Sequence, residues 1–451
     1  MAHFWRRGLM GRLESLISKS DSRLAVRIRS KITWNKLYHI ISYTKSSLWV
    51  IPIFAILIQF IMVRLFHFLD ALILWRIPFP IEIPNVEGAE TMLQTVITLN
   101  LSFLVFTFGS LLVAIQVASA QLTPRIIATT LLRDNVVRFS VGLFVFTLIF
   151  AVATQGRMDK IVHQLPYFIC GCLGLFSMAT FLYLIDYASR LLRPVSIVGR
   201  VGQMGIEVID HVYLKPTKGT TVVKKRDLGL PAQIVNHEGA GRIILALNIT
   251  ALVAMAESAR GVIEFVPRVG DFLGTDDPLF HLYGGAALID VKKLRACVAF
   301  GPERTIEQDP TFAFRIIVDI ALKALSPAIN DPTTSVLAMD QLQRLLRKVG
   351  QRHLHDDEIR DKEGYLRLIL RTPNWADFVN LSFTEIRHYG ACNVQVARRL
   401  RAVIENLIGS LPEHRHPELL KQLELLDRTV EKSFSFKEDL ALARIADTQG
   451  L

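Results

Sequence analysis

The sequence predicts an α-helical membrane domain of four transmembrane helices, joined to a cytosolic α+β domain with a small β subdomain and a helical C-terminal part. Three observations predict it. Four long apolar stretches crowd into the first 190 residues of a 451-residue chain. Basic residues gather beside those stretches, whereas the later residues are nearly charge-balanced. Beyond residue 232, short β-rich runs separated by Gly, Pro and Asp give way to amphipathic helical patterns.

Residues 1–47 form a basic segment with ten Lys and Arg. Leu9, Leu13, Leu16 and Ile17 stand there at helical spacing, which suits an amphipathic helix on the inner leaflet; a partner-binding or solvated helix is the alternative. A hydrocarbon core asks for about 20 apolar residues per helical crossing. Spans at 48–69, 92–118, 136–154 and 165–185 meet that demand within a membrane domain of residues 48–193. Arg64, His67 and Asp70 interrupt the first span. Residues 48–63 are therefore read as its buried part, with Arg64 snorkelling to the far interface; a pore-lining Arg64 is the sharper alternative.

Lys and Arg near span ends stay in the cytoplasm. The segment before the first span is strongly basic, the next loop has Arg76 against Glu82, Glu87 and Glu90, and the second loop carries Arg125, Arg133 and Arg138. Both termini are thus expected inside. Residues 1–194 hold 19 basic and 9 acidic residues, and residues 195–451 hold 33 and 32, so the overall charge of +11 belongs beside an anionic leaflet. Nucleic acid is not an expected partner. The first apolar run follows 47 polar and basic residues without a small-residue cleavage site, so it is expected to stay as an anchor. Four cysteines in no zinc or disulfide spacing, and no nucleophile elbow, P-loop or dinucleotide fingerprint, nominate neither metal, cofactor nor catalytic residue.

Residues 194–231 read as a connecting helix and a polar linker containing Lys224, Lys225 and Arg226. A β-rich subdomain follows at 232–309, with strands expected at 242–247, 262–266, 278–282 and 296–300 and a short helix at 250–259. From 310 to 451 the pattern is helical, with helices expected at 311–325, 332–349, 375–389, 393–408, 417–432 and 437–446.

The second span is the most polar. At 100° per residue, Thr95, Thr98, Ser102, Gly109, Gln116 and Ser119 share one side, and Asn100, Thr107, Ser110, Ala114 and Gln121 another. Two such faces suit a helix with neighbours on both sides, or one that lines a water-filled path in an oligomer. Cys170, Gly171, Gly174 and Ser177 make a further small face in the fourth span, suited to packing. Pro124 ends the second span and sets Arg125 at the headgroups, as an anchor or as a coupling point to the soluble half.

In the soluble half, Arg315, Asp319 and Lys323 form an i, i+4, i+8 charge ladder. Ser326-Pro327 closes their helix, Asp331 suits the next N-cap, and Pro332 suits its first position. With Asn330 and Thr333 this is either a structural corner or a site for an anion at free backbone donors. Arg387 lies in Glu385-Ile-Arg-His-Tyr-Gly390, where Gly390 is expected to cap its helix. His353 and His355, followed by Asp356, Asp357 and Glu358, are read as a solvated connection before a metal site.

The segments Ala324-Leu-Ser-Pro-Ala-Ile-Asn-Asp-Pro-Thr-Thr334, Gln121-Leu-Thr-Pro-Arg125 and Glu385-Ile-Arg-His-Tyr-Gly390 resemble the bacterial DUF2254 family of predicted membrane proteins. The resemblance spans most of the chain after about residue 45 and implies an inner-membrane protein with several spans and a cytosolic domain, without an activity. Function is then expected to be that of a homo-oligomeric channel or transport-related protein, the second span near its axis. The alternative is a membrane-anchored sensor or scaffold whose soluble half binds a small ligand, an ion or a protein; a membrane enzyme trails both.

Overall fold

The computed structural model describes residues 33–73, 86–124, 133–157, 162, 164–191, 193–217, 228–354 and 358–449. The amphipathic helix expected near Leu9, the linker basic triplet, Arg125 and His355–Asp357 fall outside them. Fourteen α-helices and eight strands are described, and they cluster into two compact units.

Of the described residues, one unit comprises 33–43, 228–309, 354 and 358–373. Its described part begins with α1 (Trp34–Ser46, up to Tyr43) and then carries β1 (Gln233–Asn236), β2 (Arg242–Leu247), α7 (Ile249–Ser258), β3 (Gly261–Phe265), β4 (Phe272–Leu273), β5 (Pro278–Gly284), α8 (Val291–Arg295) and β6 (Val298–Gly301). β7 (Glu358–Arg360) and β8 (Leu366–Leu370) return to it from far along the chain. A five-stranded sheet in the order β1-β5-β3-β8-β7 is antiparallel except where β8 runs parallel to β3, pairing Ile263 with Leu368. A three-stranded sheet has the order β4-β2-β6. Alternation along β3 and β8 sends Ile263, Phe265, Leu368 and Leu370 into a core shared with Leu252, Phe280, Leu282, Leu294 and Val298.

The region from residue 310 onward is therefore not helical throughout. β7 and β8 were missed because five residues, Leu-Arg-Leu-Ile-Leu, fit either period when read alone, and the partner strand lies about a hundred positions earlier. The hairpin is held by Asp361, whose carboxylate accepts from Arg367 Nε at 2.7 Å and from the backbone N–H groups of Tyr365 at 2.8 Å and Glu363 at 3.0 Å. Desolvation would raise this carboxyl, but these bonds outweigh it and hold the pKa below 3.8.

The other unit holds α2 (Val50–Ile73), α3 (Val86–Gln121), α4 (Asn135–Gln155), α5 (Gln164–Leu191), α6 (Pro194–Val212), α9 (Pro310–Ala324), α10 (Pro332–Gly350), α11 (Trp375–Gly390), α12 (Val394–Ser410), α13 (His416–Ser433) and α14 (Lys437–Ala443). α3, α4 and α5 are each long and apolar enough to cross a membrane. α2 carries a shorter apolar stretch, Val50–Phe66, and runs past Arg64 unbroken to Ile73.

α4 is the central helix of this apolar group, packing against α2, α3 and α5. Small residues permit the approach. A Cβ on Gly142 of α4 would lie 2.7 Å from Ile51 Cγ2, and one on Gly174 of α5 would lie 2.9 Å from Val96 Cγ2 of α3. Ser177 donates to Thr147 Oγ1 at 3.2 Å beside them, so the small face read in the fourth span is a packing face.

In the remaining helices, Pro194 at the first turn starts α6, whose buried residues Ile197, Val198, Val201, Gly202, Gly205 and Ile209 form one stripe against α9 and α10. Trp375 Nε1 donates to Arg415 O at 2.9 Å, and the Arg415 guanidinium lies over the Trp375 ring while donating to Gly350 O, at the end of α10, and to Arg352 O just beyond it. Gly390 does not cap α11, which ends instead at Ala391 in the right-handed region. The glycine serves close approach: a Cβ there would meet Val396 Cγ1 at 2.6 Å and Leu325 Cδ1 at 2.9 Å.

Candidate functional site

The polar and small residues of α3 repeat every seventh position as two rows, Thr95, Ser102, Gly109, Gln116 and Asn100, Thr107, Ala114, Gln121. Seven residues make nearly two helical turns, so each row stays on its own face. The structure separates their fates. Asn100 is fully buried, donates to Val96 O at 2.9 Å, and keeps its Oδ1 without a partner among the described residues. Thr107 and Ala114 are buried below it, and Thr107 Oγ1 also lacks a described partner. Gln121 ends the helix, and its side chain lies outside the described residues.

The first row faces outward. Thr95, Ser102, Gly109 and Gln116 are exposed, together with Thr91 and Thr98. Each hydroxyl of Thr91, Thr95, Thr98 and Ser102 donates to a carbonyl four residues back, at 2.8 to 2.9 Å. Such bonds let a hydroxyl sit in a low-dielectric setting at little cost. Nothing lies within 4 Å of a Cβ built on Gly109. At the helix start the same row runs into an open groove of about 610 Å³ lined by Glu90, Thr91, Gln94, Thr95, Thr98, Leu99 and, from α4, Gln155.

A second constellation sits where α4 begins, and nothing in the sequence reading singled it out. Asp134 is the α4 N-cap, its Oδ1 accepting from Val136 N at 2.9 Å and Val137 N at 3.2 Å. Its Oδ2 accepts from Tyr187 OH of α5 at 2.6 Å and Arg200 Nη1 of α6 at 2.5 Å, while Arg200 Nη2 donates to Tyr187 OH at 3.1 Å. The Asp134 side chain is 3% exposed. Burial alone would lower Arg200, but its bonds to Asp134 and Tyr187 outweigh that and hold the guanidinium above its ordinary range. Two apolar helices and α6 thus meet on one carboxylate. An Asp before the apolar run beginning Asn135-Val136 was a readable N-cap signal; the partners, 53 and 66 positions away, were not.

The corner between α9 and α10, with α11 beside it, divides into three separate settings. Arg315 Nε pairs with Asp319 Oδ1 at 2.7 Å, as the ladder predicts, and its Nη atoms clamp Glu385 of α11 at 2.5 and 3.1 Å. That bond to Glu385 keeps Arg315 raised against the lowering by burial. Lys323 is exposed and adds no ion pair among the described residues. At the turn, Ser326 Oγ donates to Lys323 O at 2.7 Å, Asn330 has φ 48° and donates its N–H to Ser326 O, and Asp331 N–H donates to Ala324 O. Asp331 caps α10 through Thr334 N at 3.0 Å and Thr334 Oγ1 at 2.5 Å, with Thr333 exposed beside it. Arg387 lies on a different side of α11 from Glu385. It is buried, donates through Nη1 to Thr429 Oγ1 at 3.0 Å, and has no carboxylate partner among the described residues; burial lowers its pKa. Among the described residues no three His, Cys, Asp or Glu side chains are grouped to hold a metal ion.

No solved structure matches the chain. Relatives include uncharacterized proteins of Mycobacterium bovis and of Mycobacterium tuberculosis, each 26% identical over 438 residues, covering 90% of this chain and 81% of the relative. A family model for predicted membrane proteins matches residues 45–406, a range that takes in the apolar helices, the Asp134 junction and the Arg315 corner. The chain therefore belongs to the DUF2254 family of predicted membrane proteins.

Proposed function

We propose that the protein is a homo-oligomeric inner-membrane channel or transport-related protein of four crossings, with both termini cytoplasmic and α2 as the first crossing. The observation that carries this reading is the outward row on α3. An isolated membrane helix gains nothing by turning hydroxyls, a glycine and Gln116 toward lipid, whereas a neighbouring copy gains close packing or a hydrated path from them. Positive charge at the expected cytoplasmic loops supports the orientation, and an anionic inner leaflet is the matching lipid surface. In this reading Arg64, which is exposed, sits at the far interface. The soluble helices act on the path through α6 and the Asp134–Arg200 pair.

The second reading, a membrane-anchored sensor or scaffold, is favoured by that same junction, because it gives soluble helices a rigid hold on α4 and α5 whether or not anything is conducted. Two measurements on the reconstituted full chain separate them. In a Cys172→Ser, Cys392→Ser background, oxidative cross-linking of Ser102→Cys should yield covalent dimers while Asn100→Cys yields none; equal cross-linking would overturn the axial placement of α3. Ion flux into proteoliposomes should be present and fall in Gln116→Leu. If cross-linking succeeds and the wild-type protein conducts nothing, the anchor reading stands.

A further inference from the structure

We infer that α1 is a membrane-surface helix, which seats the β-containing unit on the lipid headgroups. One face of α1 is committed to that unit. Tyr38 is buried and stacks on Trp34 at 5.5 Å against Leu245, Ala246 and Ala299 of the three-stranded sheet. Asn35 N donates to Ala296 O at 3.3 Å, and Ser42 Oγ donates to Glu307 Oε1 at 3.4 Å.

The opposite face is largely apolar and exposed. Leu37 is 40% exposed, Ile40 54% and Tyr43 57%, with Lys36 exposed among them. At 100° per residue these four fall in an arc of about 120° centred away from Tyr38. The occupant follows from chain continuity and chemistry. α1 ends at Ser46 and α2 begins its apolar run at Val50, so a link of three residues, whose four Cα–Cα steps reach about 14 Å at most, ties the helix to the membrane boundary. Trp49 in that link is 51% exposed, at the depth where Trp concentrates. Leu, Ile and Tyr around a lysine stem match an interfacial helix whose apolar face sits about 5–10 Å into the headgroup boundary. Three apolar side chains fall well short of the roughly 800 Å² per partner that a stable protein interface buries.

This inference rests on the proposed crossing by α2, and the test keeps the two apart. In a Cys392→Ser background, bimane is placed on the full chain at native Cys172, or, with Cys172→Ser, at Leu37→Cys, Ile40→Cys or Leu288→Cys, and the protein is reconstituted into vesicles containing brominated lipid. Cys172 and Leu288 are exposed on the apolar helix α5 and on the β-containing unit, respectively. Positions 37 and 40 should be quenched about twofold or more above position 288. Quenching at 37 and 40 no greater than at 288 overturns the inference when Cys172 is quenched; an unquenched Cys172 overturns the membrane placement itself. Labels at 37 and 40 shielded from both brominated lipid and aqueous iodide would instead mean that protein, such as a second copy, covers this face.

Discussion

α5 and α9 are comparably apolar helices of one unit, yet they meet their surroundings in opposite ways. α5, with 28 residues, buries Pro166, Cys170, Ser177, Leu184 and Leu191. α9, with 15 residues, buries ten, including Phe312, Phe314, Ile316, Ile317 and Ile320. Leu175, Phe176 and Leu182 of α5 stand open at 59% or more. In water such exposure is penalised by about 25 cal/mol per Å² of apolar surface, so α9 hides its apolar residues under α6, α10 and α11. In hydrocarbon that penalty is absent, and α5 needs the protein only for close small-residue contacts and polar anchors. Hydropathy alone does not separate the two cases; helix length and the fate of the side chains do.

The largest expected effect tests that contrast directly. Phe314→Ala, which empties a fully buried site, should cost about 3–5 kcal/mol in unfolding of the detergent-solubilised chain, and Leu175→Ala less than about 0.5 kcal/mol. Equal losses would mean that α5 is covered by protein. Next, Asp134→Ala strips a buried acceptor from Arg200 and Tyr187 and should cost about 2–3 kcal/mol, discounted because Arg200 is 31% exposed. A loss below about 0.5 kcal/mol would break the view that polar anchors hold the apolar helices. Gly390→Val and Gly174→Val should each cost about 1–3 kcal/mol by overpacking, one in each setting, read by the same unfolding curves.

The smallest effect concerns pH. The Asp361 carboxyl is held below 3.8, so the folded state binds fewer protons than the unfolded chain near that value. Its stabilisation is present above about pH 3.8 and is lost as pH falls through the folded value. Asp361→Asn should therefore lower the Tm at neutral pH, and the gap to wild type should close under acid; a gap that persists unchanged at the lowest pH would remove Asp361 from the hairpin's account.

Much of the fold could be read from local pattern. The strand at residues 242–247 and the helices opened by Pro310, Pro332, Trp375 and Pro417 stand within a residue of their expected starts, because N-caps, prolines and apolar periods act over one or two turns. The candidate site was only half readable. Period placed the two rows on α3, but nothing local says which row meets the bundle. Asp134, Tyr187 and Arg200 escaped for the same reason, since each is an ordinary boundary residue until a third helix arrives.

The sequence by itself determined that long apolar helices stand in the first half, that excess positive charge lies beside them, and that capped amphipathic helices and a β-rich stretch follow, because hydropathy, period and charge are properties of short windows. Only the tertiary structure decided that β8 completes the sheet beside β3, that Asn100 turns inward while Ser102 turns outward, and that one carboxylate gathers α4, α5 and α6. Those outcomes depend on which distant surfaces exclude solvent from each other, a quantity that no single window of the chain contains.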